Sequence, residues 1–190
     1  MNAFEDIVRL YLEEEGYWVR QSVKVNISKQ DKRDIGTYSM PRPEIDLVAL
    51  NVKENELLLV EVKSYLDSYG VYYGAVSGKV SKKYEEKDVK RYRLFNDSKF
   101  REIVTERLKE EFLEKGLINK ETKVNYALAA GHIKYPEDEQ NIRDYFLEQK
   151  EKWILFSEKD IKDKIRKFAE KGWEDNVVTM TAKLTKEAVT

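Results

Sequence analysis

The chain has 190 residues, of which 35 are basic and 36 acidic, with one histidine and no cysteine. This length predicts one domain with its own core. Hydrophobic residues make up 41% of the chain and charged residues 37%, a composition that excludes a disordered chain and a membrane protein. The cysteine and histidine counts exclude disulfide frameworks, thiolate zinc sites, iron-sulfur clusters and cysteine nucleophiles. Because the net charge is only −1, any site for a polyanion must be local.

The first 27 residues predict a helix followed by a strand. Apolar residues recur at helical spacing over residues 3–15, where they are Phe4, Ile7, Val8, Tyr11 and Leu12. Gly16 is a typical helix stop, and residues 17–27 alternate between apolar and polar as a half-buried strand does. The N-terminus lacks a signal-peptide pattern and no apolar run approaches the length of a membrane span, so we expect a cytoplasmic protein.

The remainder predicts an α/β fold. After a polar stretch at residues 28–42, apolar runs at 45–50 and 57–62 predict a buried hairpin, and a Tyr/Gly/Ser loop follows to residue 82. Further helices are predicted at 83–95, 100–115, 138–150 and 158–171, strands at 124–130 and 153–156, and a short helix near the end. This order favours a mixed central sheet with helices on both faces, in a single domain spanning 1–190.

Charged residues mark one end of the predicted hairpin. In the second arm Glu61 and Lys63 share one face, and in the first arm Glu44 and Asp46 share one face. A loop centred between residues 53 and 54 pairs residues whose numbers sum to 107, which places Asp46 opposite Glu61 and Glu44 opposite Lys63. The pattern therefore predicts carboxylates and one ammonium in a patch a few ångströms across.

Carboxylates held this close favour a bound cation. An oxygen-only cluster suits Mg²⁺, with Mn²⁺ as a substitute. The lysine can orient or deprotonate a water molecule, or stabilise charge on a phosphoryl oxygen. The alternative is a surface salt-bridge cluster at the end of a hairpin.

The spacing of Asp46, 14 intervening residues and Glu61-Val62-Lys63 resembles the PD-(D/E)XK nuclease superfamily. The resemblance implies a restriction-endonuclease-like core of order α-β-β-β-α-β over about residues 3–131, with a helix-strand-helix extension over about 132–190. It also implies that Asp46, Glu61 and the Val62 carbonyl bind metal and that Lys63 assists the attacking water. Pro43 lies three residues before Asp46, whereas the family proline usually precedes its aspartate directly, so Glu44 competes with Asp46 as first ligand; we prefer Asp46 because an apolar strand follows it.

The opening helix extends the resemblance to archaeal Holliday-junction resolvases and related nucleases. These proteins carry a metal-binding glutamate on their first helix, and Glu5 lies at the corresponding place, which implies a metal role for it. An acidic residue in a first helical turn is also favourable by itself, so this simpler interpretation of Glu5 stays open.

Two basic segments border the predicted patch in sequence. Residues 20–42 and 82–93 each contain six basic residues, and candidate phosphate contacts within them are Arg42, Lys82, Lys83, Lys90 and Arg91. Ordinary solvated faces are the alternative. The four tyrosines of residues 64–81 permit a stacking contact with DNA, although plain packing explains them equally well.

The sequence therefore predicts a Mg²⁺-dependent deoxyribonuclease, with an endonuclease favoured over an exonuclease, acting in repair, recombination or restriction. DNA is the expected partner, no membrane is expected, and a homodimer is possible. The alternatives are a catalytically inactive nucleic-acid-binding or assembly module on the same fold, and a structural domain without a DNA partner.

Overall fold

The five strands follow the predicted order, whereas short helices at 29–34 and 73–77 lie where a polar stretch and a loop are predicted. A computed structural model describes residues 3–39, 41–80, 86–172 and 176–186. The strands are β1 (Trp18–Lys24), β2 (Glu44–Asn51), β3 (Glu56–Lys63), β4 (Lys123–Ala130) and β5 (Trp153–Phe156). The helices are α1 (Ala3–Glu14), α2 (Lys29–Asp34), α3 (Tyr73–Ser77), α4 (Glu86–Val89), α5 (Arg93–Asn96), α6 (Ser98–Glu114), α7 (Pro136–Leu147), α8 (Glu158–Phe168) and α9 (Val177–Thr185).

The five strands form one sheet in the order β1-β2-β3-β4-β5. The first three strands are antiparallel neighbours, whereas β4 is parallel to both β3 and β5, so the predicted mixed sheet is confirmed. In the β2–β3 hairpin Leu47 lies opposite Val60 and Leu50 lies opposite Leu57. These are pairs whose numbers sum to 107, so the predicted hairpin register is confirmed from Leu47 to Asn51. The two predicted pairs of charged residues, Asp46 with Glu61 and Glu44 with Lys63, lie beyond the end of this ladder.

Helices cover both faces of the sheet, as predicted. On one face the side chains of α5, α6 and α7 pack in a core that includes Phe95, Leu108 and Phe146. On the other face α1 and α8 pack in a second core that includes Leu12 and Ile161. Because β3, β4 and β5 are parallel, a crossover must connect β3 to β4 and another must connect β4 to β5. Helix α6 lies in the first crossover and α7 in the second, and both pack on the same face.

Capping side chains set several helix boundaries. Helix α2 begins with a capping box in which Ser28 Oγ accepts the Asp31 N–H at 3.0 Å and the Asp31 carboxylate accepts the Ser28 N–H at 2.7 Å. The same device, Ser157 with Asp160, begins α8. The sequence analysis predicts only a polar stretch at 28–42 and no helix there, so it misses α2. Ser28-x-x-Asp31 is the sequence signal for this helix.

The helix predicted at 83–95 is broken in the part that the structure describes. Helix α4, a 3₁₀ turn (Lys90–Tyr92) and α5 follow one another, because Tyr92 leaves the helical region at φ −123° and ψ 29°. Tyr92 and Phe95 are nevertheless buried in the core. Across the described ranges, the structure contains no helix long and apolar enough to cross a membrane.

Candidate active site

The candidate site lies where β1 and β2 both change the face that they present to the core. In β1, Val19 packs in the core beneath α1, whereas Val23 packs on the opposite face, although alternation would place both on one face. Between them, Ser22 has a positive φ of 51°. The β1–β2 ladder pairs Gln21 with Leu47 and Val23 with Ile45, but it skips the intervening pair, Ser22 and Asp46. The uniform alternation predicted for β1 is therefore wrong, because the backbone turns at this step.

The backbone turn directs the Asp46 carboxylate toward β3. Asp46 Oδ2 accepts the Val62 N–H at 2.7 Å, while the β2–β3 backbone pairing ends at Leu47 and Val60. Local distortions of this kind re-aim side chains at the ends of a ladder. Asp46 thus reaches the end of β3 in the plane of the sheet.

Three oxygen-bearing groups converge on the Lys63 ammonium. Lys63 Nζ donates a hydrogen bond to Glu61 Oε1, donates a second to the Val62 carbonyl at 3.3 Å, and lies 3.7 Å from Asp46 Oδ2. The side chains of Asp46, Glu61 and Lys63 are 22%, 15% and 17% exposed. These oxygens are the ones that the family resemblance assigns to a metal, so the structure shows that they can surround one positive charge.

The protonation of this cluster is strongly perturbed. Burial raises the pKa of Glu61 to about 7, with the negative charges of Asp46 and Glu5 adding to this effect and Lys63 opposing it. For Lys63, burial alone would lower the pKa of the ammonium, but the Glu61 and Asp46 carboxylates outweigh burial and raise it. A carboxyl group that titrates near neutral pH beside a second carboxylate is typical of functional sites.

The cluster lines a cavity of about 550 Å³. Glu5 reaches this cavity from α1, and Pro43 and Tyr65 contribute from the chain on either side of the hairpin. The structure thus brings Glu5, Asp46 and Glu61 to one cavity, as predicted. It places Glu5 close enough to Glu61 for their charges to interact.

A basic wall, which we define as Lys90, Arg91 and Arg93, also lines the cavity. These residues lie on the 3₁₀ turn and the start of α5, on either side of the buried Tyr92. Of the other predicted phosphate contacts, Arg42 donates to Asn26 at 3.0 Å and is absent from the lining. Lys82 and Lys83 lie outside the described residues.

The predicted position of Glu44 is wrong in one respect. Glu44 lines the cavity, but it lies opposite Lys24 of β1, with Oε2 at 3.9 Å from Lys24 Nζ. It does not face Lys63, because the hairpin ladder ends before this position. Asp46 rather than Glu44 therefore joins Glu61 at Lys63.

The donor set fits a hard divalent cation. Asp46, Glu61 and the Val62 carbonyl supply oxygen atoms of the type that Mg²⁺ prefers, and they already hold a cationic group between them. Within the described ranges no three His, Cys, Asp or Glu side chains form a cluster able to hold a metal by themselves. Any metal here would therefore need the backbone carbonyl and solvent or substrate oxygens, which is common for Mg²⁺.

Sequence reasoning missed two residues that shape this site. Arg93 lines the cavity, donates to the Ile35 carbonyl at 3.2 Å and stacks over Phe100 at 4.2 Å. Its place in the basic segment 82–93 was a usable signal. Ser22 bends β1 without lining the cavity, and nothing in the alternating pattern around it marks such a turn.

Comparisons with family models, with curated proteins and with solved structures found no match. The function of the chain must therefore be inferred from the geometry of the cavity itself.

Proposed function

We propose that this chain is a divalent-metal-dependent nuclease that hydrolyses DNA phosphodiester bonds, with a restriction-endonuclease-like core and a place in the PD-(D/E)XK superfamily. The observation that carries the proposal is the convergence of Asp46, Glu61 and the Val62 carbonyl on one cationic group. The cavity around it is lined by acidic groups from β2 and β3 and by the basic wall. An endonuclease is favoured, Mg²⁺ is the expected metal, and Mn²⁺ should replace it.

Each residue has a separate task in this proposal. Asp46, Glu61 and the Val62 carbonyl would hold the metal, with Glu5 adding negative charge from α1. When bound, the metal would supply Lewis acidity and lower the pKa of a bound water molecule. Lys63 would orient the attacking water or stabilise the negative charge that develops on the phosphoryl oxygens. Lys90 and Arg91 would bind the neighbouring phosphates and so position the strand.

The proposal is tested by incubating the purified chain with blunt duplex, single-stranded and branched DNA in Mg²⁺ or Mn²⁺. We expect cleavage of at least one substrate by the parent chain and a loss of at least about 100-fold in the Asp46→Asn variant. Crystals soaked in Mn²⁺ should show metal density about 2.0 to 2.4 Å from carboxylate oxygens of this cluster.

The alternative functions predict different results in the same assay. DNA binding in Ca²⁺ without cleavage in any metal would favour a catalytically inactive binding or assembly module. No binding at low salt to any of the three DNA forms would remove both nucleic-acid functions.

A further inference from the structure

A second, smaller cavity adjoins the active-site cavity. It has a volume of about 110 Å³, and Tyr65 and Arg91 line both cavities. Pockets for drug-sized ligands usually exceed about 300 Å³, so this one suits a single ring-sized group. The two shared residues, which hydrogen-bond to each other at 3.3 Å, place it beside the cavity in which the proposed function puts the scissile strand.

Aromatic rings form most of this small cavity. Tyr65, Tyr69, Tyr72 and Tyr92 line it, and Tyr69 is 84% exposed although its ring is large and apolar. Tyr65 has a positive φ of 44°, a conformation that costs free energy in a tyrosine and recurs at functional positions. This conformation occurs two residues after Lys63, at the boundary between the two cavities.

The backbone holds the tyrosines in place before any ligand arrives. Val71 N–H donates to the His132 carbonyl at 2.9 Å, and Lys134 N–H donates to the Val71 carbonyl at 2.8 Å. Gly70, with φ at +80°, permits this contact, because a Cβ there would lie 2.7 Å from the His132 ring. The tyrosine-bearing loop is thus pinned to the segment that follows β4.

Charged groups contact the tyrosines in two ways, since Lys134 lies over two of the rings and Arg91 and Asp88 bond to tyrosine hydroxyls. The Lys134 ammonium lies 5.5 Å from the centre of the Tyr69 ring and 4.9 Å from that of the Tyr72 ring. Arg91 donates to the Tyr65 hydroxyl at 3.3 Å, and Asp88 accepts from the Tyr72 hydroxyl at 3.3 Å. Flat rings for stacking, cations for phosphates and a carboxylate able to accept from a base amino group are the features that bind an unpaired nucleotide.

We infer that this cavity binds one unpaired nucleobase of the DNA strand held in the active-site cavity, with Tyr69 as the stacking surface and Lys134 and Arg91 as the flanking phosphate contacts. The inference rests on the proposed function and deepens it, because it names the substrate class. The substrate has an unstacked nucleotide beside the bond that is cut, as in a single strand, a flap or a bulge. A base inside an intact duplex cannot enter a cavity of this size without leaving the stack.

The test measures binding in EDTA, so that no cleavage is required. Three fluorescent oligonucleotides are compared, a single strand, a duplex with a single-stranded tail and a blunt duplex. The first two carry 2-aminopurine in the unpaired region, and the blunt duplex carries it at a paired position. We expect Tyr69→Ala to weaken binding of the strand and the tailed duplex about tenfold, the effect of losing one stacked base. Binding of the blunt duplex should change less than about twofold, and Tyr69→Trp should retain the parent affinity and the fluorescence quenching.

Trp18→Ala is the matched control, because Trp18 is an aromatic residue of similar exposure, 77%, at the opposite end of β1 from the site. It should leave all three affinities unchanged. If Tyr69→Ala changes the three affinities by the same factor, or changes none of them, the inference is overturned. Tyr69-dependent binding confined to an RNA strand of the same sequence would also overturn it.

The same samples distinguish this inference from the proposed function. Tyr69-dependent binding without cleavage in Mg²⁺ or Mn²⁺ refutes the nuclease and retains the nucleobase site. Cleavage of blunt duplex at the same rate by the parent and by Tyr69→Ala, with no preference for unpaired DNA, retains the nuclease and refutes the nucleobase site.

Discussion

The two ends of the β2–β3 hairpin both contain polar side chains, but the two ends are built in opposite ways. At the turn end, Thr122 Oγ1 donates to Asn55 Oδ1 at 2.7 Å, the Asn55 amide donates to Asn119 Oδ1 at 3.2 Å, and the Asn119 N–H donates to Thr122 Oγ1 at 3.0 Å. These neutral groups satisfy one another. At the open end, Asp46 and Glu61 compete for one ammonium, and burial raises the pKa of Glu61 to about 7.

The difference separates a cluster of paired neutral groups from a cluster with excess charge, which the proposed function uses. A closed set of neutral hydrogen bonds stabilises the fold, because the polar groups of the set are hydrogen-bonded to one another. Two carboxylates around one lysine leave excess negative charge in a partly buried place, which a second cation would relieve. Under the proposed function this excess charge is what a bound metal would relieve, and four substitutions test this contrast.

The largest expected effect comes from removing the ammonium at the open end. Because Lys63 acts mainly in the transition state of the proposed reaction, Lys63→Ala should lower kcat by about 100-fold or more and leave DNA affinity within a few-fold. Single-turnover cleavage with Mg²⁺ measures the rate. Lys63→Arg separates two roles, since partial rescue favours electrostatic stabilisation, whereas no rescue favours proton transfer. Unchanged cleavage in Lys63→Ala would contradict the assigned role.

The second effect concerns stability and pH at the open end. Because the folded-state pKa of Glu61 lies above its ordinary value of 4.5, this group favours folding most at low pH, and its contribution is lost as pH rises from about 4.5 through 7. Glu61→Gln does not titrate at this position. The free energy of unfolding of this variant minus that of the parent should therefore rise by on the order of 2 kcal/mol from pH 5 to pH 8. Urea unfolding in EDTA measures the gain.

Asp31→Asn provides the control for that pH dependence. The Arg107 guanidinium outweighs burial and lowers the pKa of Asp31 to about 2, so this carboxylate stabilises the fold above its unfolded pKa and loses its effect only as pH falls toward 2. The free-energy difference between Asp31→Asn and the parent should therefore stay constant from pH 5 to 8. A parallel slope in both variants would show that the Glu61 effect is not local.

The turn end should respond in stability alone. Thr122 is buried and its hydroxyl links Asn55 to Asn119, so Thr122→Val should cost about 1 to 2 kcal/mol of unfolding free energy at every pH. Its cleavage rate should equal that of the parent. Thr185→Val removes an exposed threonine hydroxyl on α9 and should cost less than about 0.5 kcal/mol. A loss of activity in Thr122→Val would remove the contrast between the two ends.

The smallest effect should appear in the salt dependence of DNA binding. Lys90→Gln removes one cation of the basic wall, so the slope of log affinity against log salt for duplex DNA should fall by about 0.9 if Lys90 binds one phosphate. Lys109→Gln on α6, which lines a different groove, is the control and should leave the slope unchanged. Equal slopes for the parent and Lys90→Gln would place the DNA elsewhere.

The register of the hairpin was predictable, whereas the final geometry of the site was not. Residues 51–56 separate the two apolar runs, and the centre of this loop determines which residues pair. The structure has the predicted pairing from Leu47 to Asn51. At the next step Ser22 has a positive φ, both strands change face, and the β2–β3 ladder has ended, so the extrapolated contact between Glu44 and Lys63 fails. A backbone turn in a neighbouring strand leaves no mark in the hairpin's own sequence.

For the basic wall, the sequence predicted which residues carry the charge but not the backbone that positions them. The segment 82–93 was identified from charge alone, and Lys90 and Arg91 do line the cavity. Its predicted continuous helix is broken at Tyr92, because helical periodicity describes which residues are buried but not where a short helix restarts. Composition thus located the cations, and tertiary packing determined how they are presented.

The turn at Ser22 has a consequence for anyone who would graft this cluster onto another scaffold. Strand β1 contributes no side chain to the cavity lining, yet its left-handed residue, at φ 51°, coincides with the step at which β2 redirects Asp46. Such a conformation costs roughly 1–2 kcal/mol in an L-residue, and Ser22→Gly would remove that cost while keeping the turn. The smallest portable unit is therefore three strands, and a transplanted two-stranded hairpin would carry all the chemical groups but point its aspartate away from the others.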